Sequence, residues 1–330
     1  MKTTHASITV LLMLYMVFFA SCKTSETLID VMRAAEINIP QEIKTLAVIN
    51  RSLPAKEEEV TNVVEGIITG ELILNDRFGS EQCITGLANA MSNSPRFSKV
   101  VIPDVKLKGT GTTKFPPLLD WANVGEICSS SGTDALIALE TFDSNVEGRL
   151  VALLAKQQNP NLRIKVETGW RVYDPSGQRL IDENVFVDYM DWNQPITDAP
   201  ARQRVVEEAG FFAGTRYAGR ISPLWIPVTR MYFKKGNNDF KIAHRLVQQG
   251  LFNEAGDIWS KYTETADKKI AGYACYNLGL VYEVNGNLEE ALNWVKKSLI
   301  TYGNRKAGNY IGVLNYRISE RERLNEQLKE

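Results

Sequence analysis

The chain ends in two similar stretches that decide its fold: IAHRLVQQGLFNEAGDIWSKY (residues 242–262) and LGLVYEVNGNLEEALNWVKKS (residues 278–298). Positions of the first stretch recur 36 residues later in the second. The first stretch has a small residue at Ala243, a glycine at Gly250 and a second small residue at Ala255, and the second stretch repeats this order. The spacing predicts two helix–turn–helix hairpins built on one plan.

Each feature of this pattern has a physical reason. Small side chains at Ala243 and Gly279 let the first helix of each hairpin approach the second closely. Gly250 and Gly286 suit the left-handed backbone that commonly ends a helix. The pattern resembles the tetratricopeptide repeat, a helix, a glycine-containing turn and a helix. A bare amphipathic hairpin would show similar spacing, so both interpretations stay open.

Details of the resemblance give further expectations. The period of 36 residues exceeds the usual ~34 of such repeats, so we expect a two-residue insertion within Thr263–Lys269. Asn287 with Glu290 predicts a capping box at the start of the last repeat helix. Four larger apolar residues are expected to fill the seam between the hairpins: Phe252, Trp259, Leu288 and Val295.

Two hairpins are fewer than the roughly three repeats that a free-standing array needs. Other segments must therefore cover their ends. Ala307–Glu330 begins with an apolar stripe and becomes rich in Glu and Arg, which predicts a capping helix with a solvated end. The upstream domain is expected to cover the other side, and the helical region as a whole is placed at residues 236–330.

Composition limits the class of protein. A chain of 330 residues favours two domains. The formal net charge of −1 and the pI near 6.3 argue against nucleic-acid binding, which requires a basic face.

The amino terminus has the pattern of an export signal. Lys2 supplies a positive charge, Ile8–Ala20 is a short apolar run, and Ser21 and Cys22 follow. Phe19-Ala20-Ser21-Cys22 resembles a bacterial lipobox, which implies a signal peptide over residues 1–21, lipidation of Cys22 and a lipidated linker over residues 22–40. The alternative is ordinary cleavage beside an incidental cysteine. We expect an outer-membrane lipoprotein, with the periplasmic and cell-surface faces both open.

Residues 41–235 predict one mixed α/β domain, because apolar strand runs alternate with helical stripes. With the repeats, the expected fold class is α+β. The predicted strands are Ile43–Asn50, Phe97–Ile102, Asp134–Thr141, Leu162–Val172 and Arg179–Tyr189, and the predicted helices are Val60–Ile68, Ser80–Ser92, Leu118–Ser130 and Ala201–Gly219. The segment Pro223–Pro227 is expected to end the last helix and lead through Arg230–Phe233 into the repeats.

Two segments of this domain carry a second resemblance. Cys128–Ala138 joins a helix to an apolar strand through Gly132-Thr133-Asp134-Ala135, and Val172–Gln178 is a strand end with an Asp-Pro-Ser-Gly turn. Both are similar to units of the curli-secretion and cell-wall-synthase-activator lipoproteins. That resemblance implies a domain similar to the anticodon-binding fold and to the amino domain of the Tol–Pal β-propeller protein.

The whole layout, from lipobox to repeats, resembles a family of lipoproteins from Bacteroidetes-type bacteria. It includes Ser94-Pro95-Arg96-Phe97 and Pro223-x-Trp225. No activity is assigned to that family, so the resemblance carries over no functional residues.

Catalysis is not expected. Beyond the signal peptide the only histidine is His244, so a metal site with several histidines is excluded. A catalytic triad based on histidine is excluded unless His244 is its histidine. The loop Gly109–Lys114 lacks the spacing of a phosphate loop, and Asp174 is expected to form a turn. We expect no metal and no cofactor. Three cysteines are expected to be buried free thiols: Cys83, Cys128 and Cys275.

Two functions remain. The first is a lipid-anchored envelope scaffold without catalysis that binds a partner protein or peptide through the first helices of the repeats, with contacts at Lys241, Arg245, Gln248, Tyr276 and Asn277. The second is a glycan- or small-ligand-binding protein that uses aromatic and carboxylate residues near the 162–192 hairpin. Its candidate residues are Trp170, Tyr189, Asp191 and Trp192, although packing of these rings in a core is the simpler interpretation.

Overall fold

The structure is a computed structural model that describes residues 23–53, 70–111, 113–146 and 161–329. The chain divides into two compact units. The sheet unit is the described part of residues 32–225 together with 323–329, and the helical unit is the described part of residues 1–31 together with 226–322. Across the described residues the fold is mixed α and β, with two sheets and a helical C-terminal region.

The sheet unit contains a five-stranded sheet with the order β3-β2-β4-β5-β6. Strand β2 lies between β3 and β4 and is parallel to both. Strand β5 pairs antiparallel with β4, and β6 pairs antiparallel with β5. The strands are β2 (Thr45–Asn50), β3 (Lys99–Val101), β4 (Ala135–Val146), β5 (Leu162–Asp174) and β6 (Arg179–Trp192), and the helices are α1 (Gly70–Ser92), α2 (Trp121–Ser131) and α3 (Ala199–Ile221).

Helices cover both faces of this sheet, which explains why β2 reads as a continuous apolar run. Helix α2 packs its buried Val124 and Ile127 against Ala47 and Leu136 of the strands. On the other face the ring of Tyr217 from α3 stacks on Trp170, with ring centroids 4.4 Å apart. The predicted strands of this region are present, as are the predicted helices Ser80–Ser92, Leu118–Ser130 and Ala201–Gly219, and β4 runs five residues beyond the predicted end at Thr141.

Two aspartates in motifs of the sequence, Asp134 and Asp174, hold the backbone around them through hydrogen bonds. The carboxylate of Asp134 accepts hydrogen bonds from the backbone amides of Lys44 and Thr45, each 2.8 Å long, and thereby joins β4 to β2. The carboxylate of Asp174 accepts bonds from the backbone amides of Ser176 and Gly177. The predicted turn role of Asp174 is confirmed.

The helical unit contains two antiparallel hairpins, α4 (Asn238–Gln248) with α5 (Phe252–Ser260) and α6 (Lys268–Val284) with α7 (Leu288–Ile300), followed by α8 (Ala307–Gln327). Gly250 and Gly286 both have positive φ, +78° and +77°. A Cβ on Gly279 would lie 2.2 Å from Val295, so the close helix contact requires glycine. Asn287 caps α7 through Glu290, but the amide of Asn287 bonds to Tyr282, so only half of the predicted capping box forms.

A two-stranded ribbon completes the helical unit and corrects two sequence predictions. Strand β1 (Thr24–Arg33) pairs with β7 (Leu224–Phe233), and we call this pair the β-ribbon. Residues 22–40 were expected to form a linker, yet ten of them form β1. The domain boundary expected near residue 235 instead falls at Trp225 and Ile226, within β7.

Some predictions fall outside the described residues: the signal peptide 1–21, Cys22, and the helix Val60–Ile68. Cys83, Cys128 and Cys275 are buried free thiols, as predicted. None of the helices within the described ranges is both long and apolar enough to cross a bilayer.

Candidate partner-binding surface

The β-ribbon packs against the helices on which partner contacts were predicted. Tyr232 and Phe233 of β7 are buried, at 0% and 2% exposure. Phe233 stacks on Tyr273 of α6 with ring centroids 3.8 Å apart and meets Tyr276 edge-on. Ile29 and Val31 of β1 belong to the same core as Ala243 of α4. The helical hairpins are therefore covered on this side by the chain's own strands.

Asn277 binds the ribbon as an extended peptide would be bound. Its side-chain oxygen accepts from the amide of Phe233 and its side-chain nitrogen donates to the carbonyl of Phe233, both at 2.8 Å. Asn277 is 0% exposed and Tyr276 is 4% exposed. The prediction of these two as partner contacts is therefore wrong, because β7 occupies the positions a partner would take.

Replacing Asn277 with alanine is expected to lower the free energy of unfolding by about 2 kcal/mol, because it leaves buried backbone groups of Phe233 without partners. Exchange of the Phe233 amide, followed by mass spectrometry, should accelerate in the variant. Asn293→Ala removes an exposed asparagine from α7 and is the matched control, with a change within about 0.5 kcal/mol. Unchanged exchange at Phe233 would contradict the assignment.

A buried carboxylate holds β7, α6 and α8 together. The side chain of Glu283 is fully buried and bonds to Arg230 of β7, with Nη2–Oε1 2.8 Å, and to Arg317 of α8, with Nη1–Oε1 2.5 Å. The hydroxyl of Tyr310 donates to it at 2.6 Å. Burial acts to raise the pKa of Glu283, but the bonds from Arg230 and Tyr310 and the charge of Arg317 hold it below its ordinary value.

His244 also serves the ribbon. Its Nδ1 lies 2.5 Å from the hydroxyl of Tyr232, and the two rings are in contact. Burial, followed by the charge of Lys234, lowers the pKa of His244 below its usual value. The ring contact with the buried Tyr232 gives His244 a packing role.

Lys241, Arg245 and Gln248 form an exposed stripe on α4. Their spacing of four and three residues places them on one helix face. The buried residues of α4 lie on another face and include Phe240 and Val247. These three predicted contacts are accessible, and their binding role stays a prediction.

The predicted ligand site on the β5–β6 hairpin does not assemble. Trp192 and Trp170 are 6% and 0% exposed, whereas Tyr189 is 45% exposed and Asp191 is also exposed. Successive side chains of a strand point to opposite faces, so Tyr189 and Asp191 lie on the outer face and Trp192 on the inner one. Trp170 packs on α3 through Tyr217. The sequence pattern predicted these residues as a group, but it did not show that the strand places them on opposite faces of the sheet.

Two other carboxylates of the hairpin, Asp188 and Glu183, are bonded by arginines. Asp188 is held by both terminal nitrogens of Arg220, at 3.0 and 2.7 Å, and Glu183 is bonded by Arg171 Nε at 2.6 Å. These contacts join β6 to α3 and to β5. A glycosidase needs two carboxyl groups that flank the bond it cleaves between sugars. Asp188 and Glu183 are instead bonded to arginines of the fold.

Glu140 lies in a β-bulge between Leu139 and Thr141 of β4 and is fully buried. It accepts bonds from Arg51 at 3.1 Å and from the hydroxyl of Tyr173 at 2.7 Å. Burial raises the pKa of Glu140, while its donors oppose the shift. Arg51 also bonds to the carbonyl of Pro117, so the network fastens the proline-rich segment to the sheet.

Comparison with known proteins assigns the sheet unit to a family. Residues 43–233, more than half of the chain, match the family described as "Domain of unknown function (DUF8603)". The chain belongs to this family. Residues 241–319 match a second family, described as "Domain of unknown function (DUF6340)". No curated protein matches the chain.

Two solved structures are similar to part of this member of the family. Both are of the PelC dodecamer from Paraburkholderia phytofirmans, one a point variant in space group C2 and one in space group P6. The match to the first has a TM-score of 0.28 and 8% sequence identity, and it covers 59% of this chain and 98% of that PelC chain. The second has a TM-score of 0.27 and 8% identity, and covers 60% and 99%.

The β-ribbon and the Glu283 network were not predicted from the sequence. A signal existed in the first half of β7, where Ile226 and Val228 alternate with the exposed Trp225, Pro227 and Thr229. Pro227 inside this run argued against a strand, since proline is confined to strand edges and bulges. Glu283 gave no signal, because its arginine partners lie 53 and 34 residues away in sequence.

Proposed function

We propose that this protein is a scaffold of the cell envelope, without catalysis, held at the outer membrane by an acyl anchor on Cys22. It binds a partner protein or peptide through the exposed side of the helical unit. The observation that carries this proposal is that α4 has one buried face and one exposed face. One side packs against the core that includes the β-ribbon, and the other displays Lys241, Arg245 and Gln248 to solvent.

The proposal includes a finer description of the fold. The two hairpins are tetratricopeptide-like, supported by the left-handed Gly250 and Gly286 and by the close helix contact at Gly279. The sheet unit is anticodon-binding-like, supported by its helices on both faces of a mixed sheet. The ribbon then supplies the extra cover that two repeats need to be stable.

The test places a photo-activated crosslinker at Arg245 in living cells, with the complex purified through a tag at Glu330. We expect one partner to be captured reproducibly at Arg245 and lost in the Cys22→Ala variant, because the anchor places the stripe beside that partner. Lys296, an exposed residue of α7, is the matched control position and should capture nothing specific. Identical capture from both positions, or none from Arg245, would remove the proposal.

A further inference from the structure

The helical unit contains a pocket of about 490 Å³ between the start of α6 and the segment that enters α8. We call it the basic pocket, because four cationic residues line it: Lys268, Lys269, Arg305 and Lys306. All four are exposed. The whole chain has a formal net charge of only −1. The positive charge here is therefore a local concentration and not an overall property of the protein.

The cations of the basic pocket are not neutralised by the protein. Across residues 23–53, 70–111, 113–146 and 161–329, none of these four side chains forms an ion pair. Asp267 lies beside them in sequence, but its carboxylate accepts from the backbone amides of Lys269 and Ile270. Glu264, three residues earlier, pairs with Lys297 of α7 at 3.2 Å. The pocket thus presents uncompensated positive charge to solvent.

The walls of the basic pocket are held in place by contacts with the rest of the helical unit. Tyr273 stacks on Phe233, and the hydroxyl of Tyr302 donates to the carbonyl of Thr263 at 2.6 Å. A Cβ on Gly272 would lie 3.0 Å from Tyr302, so the lack of a side chain there lets the loop approach α6. The cations are consequently displayed on a formed surface with aromatic rings among its walls.

Lys23 lies next to one cation of the basic pocket, Lys269. Its carbonyl accepts from the amide of Lys234 at 3.1 Å, which fixes Lys23 at the end of the β-ribbon. The side chain of Lys269 lies close enough to lower the pKa of Lys23. Cys22 is bonded directly to Lys23 in the sequence. In the sequence, the proposed acyl anchor is therefore one residue away from a lysine that neighbours Lys269 of the basic pocket.

We propose that the basic pocket binds the phosphate of an anionic phospholipid headgroup at the bilayer that holds the anchor. This deepens the proposed function and rests on its acyl anchor at Cys22. Phosphate oxygens accept bonds from ammonium and guanidinium groups. Each Lys or Arg near an anionic membrane surface strengthens binding about fivefold. An acyl chain holds a protein at a membrane but does not orient it, and the pocket supplies that orientation.

The test uses the full chain with its anchor, reconstituted in vesicles of phosphatidylcholine alone or with about 30% phosphatidylglycerol. Acetylation of each lysine is measured by mass spectrometry. Anionic vesicles should reduce labelling of Lys268, Lys269 and Lys306 about fivefold or more, with the effect lost at about 0.5 M salt. Lys241 and Lys296 are exposed in the same unit and should label equally in both vesicles.

Two charge-reversal variants distinguish binding at the basic pocket from general electrostatic attraction of the protein to the membrane. The Lys269→Glu, Lys306→Glu double variant should label equally at Lys268 in the two vesicles, whereas Lys296→Glu on α7 should keep the protection. All these residues are exposed, so folding should be unaffected. Equal labelling of the unaltered protein in both vesicles would overturn the proposal.

Two further readouts keep the outcomes distinct. Protection by soluble glycerol phosphate in neutral vesicles, as strong as that by anionic vesicles, would show that free phosphate and not the membrane is the ligand, and would overturn the membrane source. The mass of the Cys22 peptide reports acylation. If the acyl chain were missing, the anchor of the proposed function would fail, while labelling with added vesicles would still decide whether the pocket binds lipid.

Discussion

Replacing Glu283 with alanine is expected to lower the free energy of unfolding by about 3–5 kcal/mol, because it leaves two largely buried arginines without their anion. Arg230 and Arg317 keep only 13% and 14% of their side-chain surface exposed, so water cannot replace the carboxylate well. Tyr310 loses its acceptor as well. Urea unfolding followed by circular dichroism would measure the change.

Glu289→Ala is the matched control for this prediction. Glu289 pairs with Arg321 of α8 at an exposed position, where side-chain exposures of 52% and 42% let solvent screen the pair. Its loss should cost about 0–1 kcal/mol. Equal losses in the Glu283 and Glu289 variants would show that the buried network does not hold the unit together.

The same network predicts a pH dependence of stability. Because the pKa of Glu283 is lowered from its ordinary value of 4.5, its ionised form is favoured in the folded state. The stabilisation is present above about pH 4.5 and is lost as the pH falls through the lowered pKa. Glu283→Gln should remove this contribution, so the difference in unfolding free energy between the two proteins should shrink in acid. A constant difference from pH 7 to pH 3 would contradict it.

Replacing Gly214 with alanine is expected to cost about 3 kcal/mol or more, because helices α1 and α3 touch through their backbones at this point. A Cβ on Gly214 would lie 1.8 Å from the carbonyl oxygen of Cys83 and 2.9 Å from the amide nitrogen of Leu87. Neither backbone atom can move without displacing α1. Thermal and urea unfolding would both report the loss.

Gly219→Ala tests the same substitution in the same helix without the contact. The nearest atom to its Cβ would be Leu224 Cδ1 at 4.0 Å, an ordinary distance. Since alanine restricts the unfolded chain more than glycine does, this variant should gain about 0.4–1 kcal/mol. A loss at Gly219 equal to that at Gly214 would mean that helix crossing is not the cause.

Local patterns predicted most elements of the fold correctly. The helical stripe of Ser80–Ser92 predicted α1, and the apolar run of Ile43–Asn50 predicted β2, because helices and buried strands impose their own periodicity on the sequence. The left-handed Gly250 and Gly286 were predictable for the same reason, since few other residues tolerate that backbone. These features depend on neighbours within about one helical turn.

The candidate surface was predicted only in part. Lys241 and Arg245 were expected to be exposed, and they are. Asn277 was expected to meet a partner, yet it bonds to Phe233, 44 residues earlier in the chain. A polar residue on a predicted helix looks the same in sequence whether it faces solvent or a buried backbone. Distinguishing the two requires knowledge of what packs against the helix.

The sequence by itself determined where the helices and most strands lie, that Asp174 makes a turn, and that the last third of the chain forms paired helices. Only the tertiary structure decided that Thr24–Arg33 joins Leu224–Phe233 as a ribbon and that the hairpin aromatics lie on opposite faces. It also placed Lys268 and Lys269 of α6 around one pocket with Arg305 and Lys306. The physical reason is range: periodicity and turn chemistry are properties of adjacent residues, whereas strand pairing, burial and charge clustering depend on residues that meet only after the chain has folded.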